Sequence, residues 1–154
     1  MSEPKDLTRM LRCFLRGAVD REDLRTALAK DLGRELRDIV ALDPESPHQP
    51  EAPIYLEYAR HDCGFELEVA LCYRAAELPR LKNSLELAGI LSRRFRQDVL
   101  AFRDPLGPDS LAPATHGLLL RSDGMAYRVP IIRMEKGVDI PDDIHEWEPW
   151  LSGD

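Results

Sequence analysis

The sequence predicts an α+β domain in which N-terminal helices precede a mostly antiparallel sheet of about five strands, with one long helix packed on a face of the sheet. Three observations support this prediction. Apolar residues repeat at helical spacing before residue 43 and again over residues 78–96. Apolar and polar residues alternate over residues 54–73, and an Asp-Gly pair separates two late apolar runs. Residues 54–134 are therefore expected in the order β-β-α-β-β-β.

The N-terminal stretch predicts helices. One apolar stripe at helical spacing comprises Leu7, Met10, Leu11, Phe14, Leu15 and Ala18. Gly17 is a plausible end for this helix. Asp20 is a suitable N-cap for the next helix, with Glu22 and Asp23 in its first turn. Gly33 either ends that helix or weakens it, because helical spacing continues to about Leu42. We expect two or three short helices before residue 43.

Two strands should follow the first Pro-rich stretch. Residues 54–58 and 65–73 both alternate between apolar and polar side chains, which indicates strands with one buried face. Residues 61–64 form a short link in which Gly64 can adopt a positive φ. If the strands pair, three carboxylates can form an acidic patch on the open face of the sheet: Glu57, Glu66 and Glu68.

The third part of the core is a helix with strands after it. An apolar stripe predicts the helix over residues 78–96, with Pro79 in its first turn. Residues 99–102 follow as a strand, and residues 122–124 are a strong hairpin turn signal. Pro130 indicates an edge strand or a bulge.

The chain length fits one domain over residues 1–154. Within it we expect a helical part over residues 1–42, a Pro-rich linker over 43–53, an α+β core over 54–134 and an acidic, tryptophan-containing tail over 135–154. The four prolines of the linker exclude regular structure there, because each lacks a backbone donor.

Net charge limits the partners. The chain has 21 basic and 28 acidic residues, for a formal net charge of −7. This balance disfavours nucleic acid and anionic membrane as partners, since both need clustered basic groups. No apolar run approaches the roughly 18 residues that a membrane-spanning helix needs, and no signal sequence is recognisable. We therefore expect a cytoplasmic protein whose three cysteines are free thiols.

The sequence carries no recognisable catalytic or cofactor motif. His145 lacks the second histidine of the H-E-x-x-H zinc motif, and no Gly-rich phosphate loop is present. His61, Asp62 and Cys63 are adjacent, but side chains adjacent on a turn do not face one another as a catalytic relay requires. The expectation is a protein that is not an enzyme and that binds no metal or cofactor.

The acidic tail is the strongest functional signal. From Glu135 onward the chain has seven acidic residues and one basic residue, Lys136, and both tryptophans of the chain lie in this tail. Acids beside aromatic anchors suit a basic protein partner. The alternative is a tail whose tryptophans dock it on its own domain. The candidate partner-binding residues are Glu57, Glu66, Glu68, Asp139, Asp142, Asp143, Glu146, Trp147, Glu148 and Trp150.

Three stretches suggest a family: residues 14–28 (FLRGAVDREDLRTAL), residues 91–100 (LSRRFRQDVL) and residues 118–129 (LLLRSDGMAYRV). In layout the chain resembles bacterial immunity proteins of polymorphic and contact-dependent toxin systems, which are small acidic α+β proteins. The resemblance implies binding and occlusion of a cognate toxin, often a nuclease with a basic substrate groove. Such families share no catalytic motif, so the resemblance assigns no role to any single residue.

Other classes of protein remain open. A type III secretion chaperone is also small, acidic and cytoplasmic, but it needs an exposed apolar groove and a dimer surface. An occluding inhibitor needs an acidic patch and can be a monomer or a homodimer. A small enzyme would require a concave pocket with convergent polar groups, and a structural or regulatory subunit is the remaining class.

Overall fold

The computed structural model describes residues 7–42, 50–62, 64–102, 116–134, 137–143, 145 and 147–149. The predicted α+β class is confirmed. In chain order the elements are β1 (Thr8–Leu15), α1 (Arg21–Leu32), a 3-10 turn (Leu36–Asp38), β2 (Ile39–Ala41), β3 (Ile54–Arg60), β4 (Leu67–Arg74), α2 (Ser84–Phe95), β5 (Val99–Ala101), β6 (His116–Leu120), β7 (Ala126–Pro130), β8 (Ile132–Met134), β9 (Gly137–Asp139) and β10 (Glu148–Pro149).

Most strands belong to one large sheet. Its eight strands follow the order β10-β7-β6-β5-β1-β4-β3-β2, and β8 pairs with β9 in a separate two-stranded sheet. Of the strand pairs in the described residues, β2 with β3 is parallel and the others are antiparallel. The mostly antiparallel arrangement was predicted, whereas the expected count of about five strands was too low.

The first predicted helix is wrong, because residues 8–15 form the central strand β1. This strand pairs with β4 along its whole length and with β5 at its last three residues. Leu11, Cys13 and Leu15 are buried on one face of the strand, while Phe14 is buried on the other. The face of Phe14 also carries Met10 and Arg12, which are exposed. The apolar side chains of Met10 and Phe14 on this face obscure the alternation that identifies a strand from sequence. Tertiary pairing therefore overrode the apparent helical spacing.

Helix α1 begins as predicted. The Asp20 carboxylate accepts hydrogen bonds from the backbone N–H groups of Glu22 (2.9 Å) and Asp23 (3.1 Å). Gly33 ends the helix in the left-handed conformation, with φ = 67°. The helical continuation to Leu42 was therefore wrong, and a 3-10 turn and β2 follow instead.

Helix α2 is shorter than predicted. It begins at Ser84 because the Asn83 side chain caps it, accepting a hydrogen bond from the N–H of Glu86 at 2.9 Å. Leu78 and Leu81 are buried but lie in the turn before the helix, as does Pro79. These buried leucines extended the apparent helical stripe without belonging to the helix.

The turn predictions hold. Gly64 and Gly124 have positive φ angles of 69° and 91°, and residues 121–125 join β6 to β7. Pro130 ends β7, beyond Tyr127 and Arg128, where β10 pairs. Strand β7 is therefore not the edge strand that Pro130 indicated, since β10 forms the edge; the proline is tolerated because β10 does not extend to it.

The two faces of the large sheet are covered differently. Helices α1 and α2 pack on one face, over the core that contains Leu24, Leu28, Leu87 and Leu91. On the opposite face, a second cluster covers the half formed by β1, β5, β6 and β7, and it includes Phe14, Phe65, Leu100, Leu119, Val129, Val138 and Ile140. The other half of this face, over β3 and β4, carries exposed side chains. We call it the open sheet face.

Candidate functional site

Two acidic stretches that are distant in sequence meet at one end of the sheet. The N–H of Phe65, in the link between β3 and β4, donates a 2.9 Å hydrogen bond to the carbonyl of Val138 in β9. The contact brings the link over residues 61–66 against the segment over residues 137–143. We call their five acids the acidic end of the protein: Asp62, Glu66, Asp139, Asp142 and Asp143. Four of the five were predicted as partner-binding residues, and Asp62 was not.

Asp139 is the innermost acid of this group. Its Oδ1 lies 2.8 Å from Arg16 Nη1 and also accepts a hydrogen bond from the N–H of Ile140 at 2.8 Å. The Arg16 guanidinium in turn lies 4.0 Å from the centre of the Phe65 ring. Asp139 is therefore partly neutralised, and with Arg16 it holds the two stretches together.

The outer acids of the acidic end are open to solvent. Glu66, Asp142 and Asp143 are exposed. Asp143 also accepts a 2.9 Å hydrogen bond from the N–H of His145, which fixes the local turn. Exposed carboxylates of this kind steer a basic partner by long-range attraction more than they contribute to bound-state stability.

The open sheet face is not the acidic patch that the sequence predicted. Glu57 and Glu68 do share it, but Arg12 from β1 lies beside them. Its Nε is 3.0 Å from Glu68 Oε2, and its Nη2 is 4.0 Å from Glu57 Oε2. His61 Nε2 lies 2.8 Å from the other oxygen of Glu68. The arrangement is a mixed-charge row, and Glu66 belongs instead to the acidic end.

Trp147 lies against its own domain. Its Nε1 donates a 3.1 Å hydrogen bond to the carbonyl of Pro141, and its ring lies 5.7 Å from the ring of Tyr127 between centroids. Arg121 lies over the indole at 5.5 Å. Glu148 approaches Arg128 at 3.3 Å. For this part of the tail, the contacts fit the alternative in which the tryptophans dock the tail on its own domain. Glu146 and Trp150 lie outside the described residues.

The described residues offer little for covalent or metal chemistry. No group of three or more His, Cys, Asp or Glu side chains within them could hold a metal ion. Burial raises the pKa of the Cys13 thiol, and burial together with the charge of Glu57 raises that of Cys72. Raised thiol pKa values disfavour the reactive thiolate at neutral pH. Cys63 lies outside the described residues.

Comparisons with known proteins add no assignment. No protein-family model matches the chain, and neither a search of curated proteins nor a search of solved structures finds a match. Within the part of the chain that the structure describes, neither helix is long and apolar enough to cross a membrane.

Proposed function

We propose that this protein is a cytoplasmic immunity protein that binds a cognate toxin through the acidic end and occludes a basic surface of it. The observation that carries the proposal is the Phe65 to Val138 hydrogen bond, because it joins the link that carries Asp62 and Glu66 to the segment that carries Asp139. A nuclease toxin would offer such a basic surface, since its substrate groove must attract phosphate.

The surface is suited to this role in charge and in position. The exposed acids Glu66, Asp142 and Asp143 can pair with lysine and arginine side chains of a partner. They lie on a base fixed by the Arg16 to Asp139 ion pair and by the buried side chains of Phe65, Val138 and Ile140. A partner surface therefore meets acids whose backbone is already ordered, which lowers the entropic cost of binding.

The first experiment is to purify the tagged protein together with the product of its neighbouring gene and to assay the toxicity of that product with and without the protein. A tight complex that abolishes toxicity supports the immunity function. A harmless partner, or no partner, contradicts it.

The second experiment tests the surface. Glu66, Asp142 and Asp143 are changed together to lysine, and association with the toxin is followed at several salt concentrations. We expect the association rate to fall by about tenfold or more, with a reversed salt dependence. Glu51→Lys is the matched control, because Glu51 is exposed and precedes β3 at the end of the strand opposite the link. If the triple variant and the control associate alike, the acidic end is not the interface.

A further inference from the structure

The helical side of the protein carries a groove whose chemistry differs from that of the acidic end. It consists of two adjoining cavities beside α2, of about 780 and 470 Å³. The cavities share Asp31, Ile90 and Arg93, so they form one continuous depression. We call it the helix-side groove.

The floor of the helix-side groove is apolar. Leu32, Ile90 and Leu120 pack against the core with one side and remain half-buried, and Leu85 is half-buried as well. Gly89 of α2 widens the groove, because it presents no side chain there. Apolar side chains left partly exposed in a groove beside a helix are the usual receptor surface for an amphipathic segment of another protein.

The edge of the groove is basic, although the chain as a whole is acidic. Five arginines line the two cavities against three carboxylates, in a chain with a formal net charge of −7. The arginines are Arg34, Arg80, Arg93, Arg94 and Arg96, and the carboxylates are Asp31, Glu77 and Glu86. The local sign of the charge is therefore opposite to the global one.

The carboxylates at this edge are already engaged. Asp31 binds the Arg94 guanidinium, with Nε to Oδ2 at 2.9 Å, and Glu77 binds Arg34 at 3.2 Å. Glu86 accepts hydrogen bonds from the backbone N–H of Lys82 and from the Asn83 side chain. Among the described residues no ion pair joins a carboxylate to Arg80, Arg93 or Arg96. Arg93 is close enough to Asp31 to help lower the pKa of that carboxyl, but it forms no close ion pair with it.

From this arrangement we infer that the helix-side groove binds an acidic amphipathic segment of a partner protein. Apolar side chains of the segment lie on Leu85 and Ile90, and its carboxylates pair with Arg80 and Arg93. The inference goes beyond the proposed function, because a basic toxin surface would be repelled here. The groove and the acidic end would therefore bind different partner chemistries.

Two synthetic peptides test this inference with the full-length protein. Both are helical, about 15 residues long, and carry leucines at i, i+3, i+4 and i+7. The flanking positions are glutamate in one peptide and lysine in the other. We expect the glutamate peptide to bind with a dissociation constant of about 10–100 µM by fluorescence anisotropy, and at least about tenfold more tightly than the lysine peptide. Its affinity should fall as salt rises.

Three variants locate the binding. Arg80→Glu combined with Arg93→Glu should weaken the glutamate peptide by about tenfold or more and favour the lysine peptide. Leu85→Gln should weaken both peptides, since it removes the apolar contact but keeps a good helix former. Arg21→Glu is the control, because Arg21 is an exposed arginine outside the two cavities. This variant should bind each peptide with the same affinity as the unmodified protein. Circular dichroism confirms that each variant is folded.

Several results would overturn the inference. One is that neither peptide binds saturably, and another is that the two peptides bind equally well. A third is binding that the groove variants and the Arg21→Glu control change alike. Light scattering of the protein alone addresses a further occupant: self-association that the double arginine variant abolishes would show that a second copy fills the groove. None of these readouts uses the toxin, so they are independent of the proposed function.

Discussion

Gly64 lies so close to Val138 that a Cβ atom added to Gly64 would be 2.0 Å from the Val138 carbonyl oxygen. The next residue, Phe65, donates its N–H to that same oxygen at 2.9 Å. Gly64 also has a φ of 69°, a conformation that other residues rarely adopt. The link between β3 and β4 can therefore approach β9 only because glycine occupies this position.

Gly64→Ala should destabilise the protein far more than a positive φ alone explains. Gly33→Ala is the matched control, because Gly33 has a φ of 67° and no heavy atom lies within 4 Å of its added Cβ. We expect a loss of about 1 kcal/mol for Gly33→Ala. For Gly64→Ala we expect about 3 kcal/mol or more, since backbone must move to relieve the clash. Urea unfolding measures both losses, and equal losses would show that the close approach is unimportant.

The elements that the sequence predicted correctly have signals within a few residues. The alternation in β3 and β4, the Asp20 cap of α1 and the Asp123-Gly124 turn each depend on neighbouring side chains. Strand β1 has no such signal, because Phe14 is buried on the face opposite Leu11 and Leu15. Its conformation is fixed by pairing with β4 and β5, which local spacing does not encode.

The candidate surfaces were predictable only in part, for the same reason. Arg12 was predicted on a helix and not on a strand beside Glu57 and Glu68. The mixed-charge row was therefore predicted as an acidic patch. The approach of the link to the tail joins residues more than seventy positions apart, for example Phe65 and Val138. Composition indicated which side chains were acidic, but it could not show which of them would meet.

Trp147 should stabilise its own domain. Trp147→Ala removes its packing on Tyr127 and the hydrogen bond to Pro141, and we expect a loss of about 2 kcal/mol in the free energy of unfolding. Trp147→Phe keeps most of the packing and loses the N–H donor, so about 1 kcal/mol is expected. Met125→Ala, at a side chain that is 51% exposed, serves as the control and should have little effect. Urea unfolding followed by circular dichroism distinguishes the three. An unchanged stability in Trp147→Ala would leave this indole available to a partner.

The Asp31 to Arg94 ion pair should make stability depend on pH in the acid range. The hydrogen bond from Arg94 is the main reason that the pKa of Asp31 is lowered. A lowered carboxylate pKa adds stability above the unfolded-state value, about 3.9, and that stability is lost as pH falls through the folded-state value. Asp31→Asn should therefore lower the melting temperature by a few degrees at most at pH 7 and not at all at about pH 2.

Arg94→Gln should reproduce this pH dependence if the ion pair is the cause. The variant that combines Asp31→Asn with Arg94→Gln should then be no less stable at pH 7 than either single variant. A difference between Asp31→Asn and the unmodified protein that persists at the lowest pH would assign the effect to packing or to another partner instead.

Arg12 should be coupled energetically to Glu68 on the open sheet face. The Arg12 side chain is 47% exposed and that of Glu68 only 22%, so we expect a coupling of about 0.5–1 kcal/mol in a double-mutant cycle. The cycle uses Arg12→Ala and Glu68→Gln, each measured by urea unfolding. Arg74→Ala is the control, because Arg74 is exposed on the same face and should show no coupling to Glu68. A coupling near zero for Arg12 would mean that its guanidinium does not hold Glu68, and the carboxylates of this face would again be available to a basic partner.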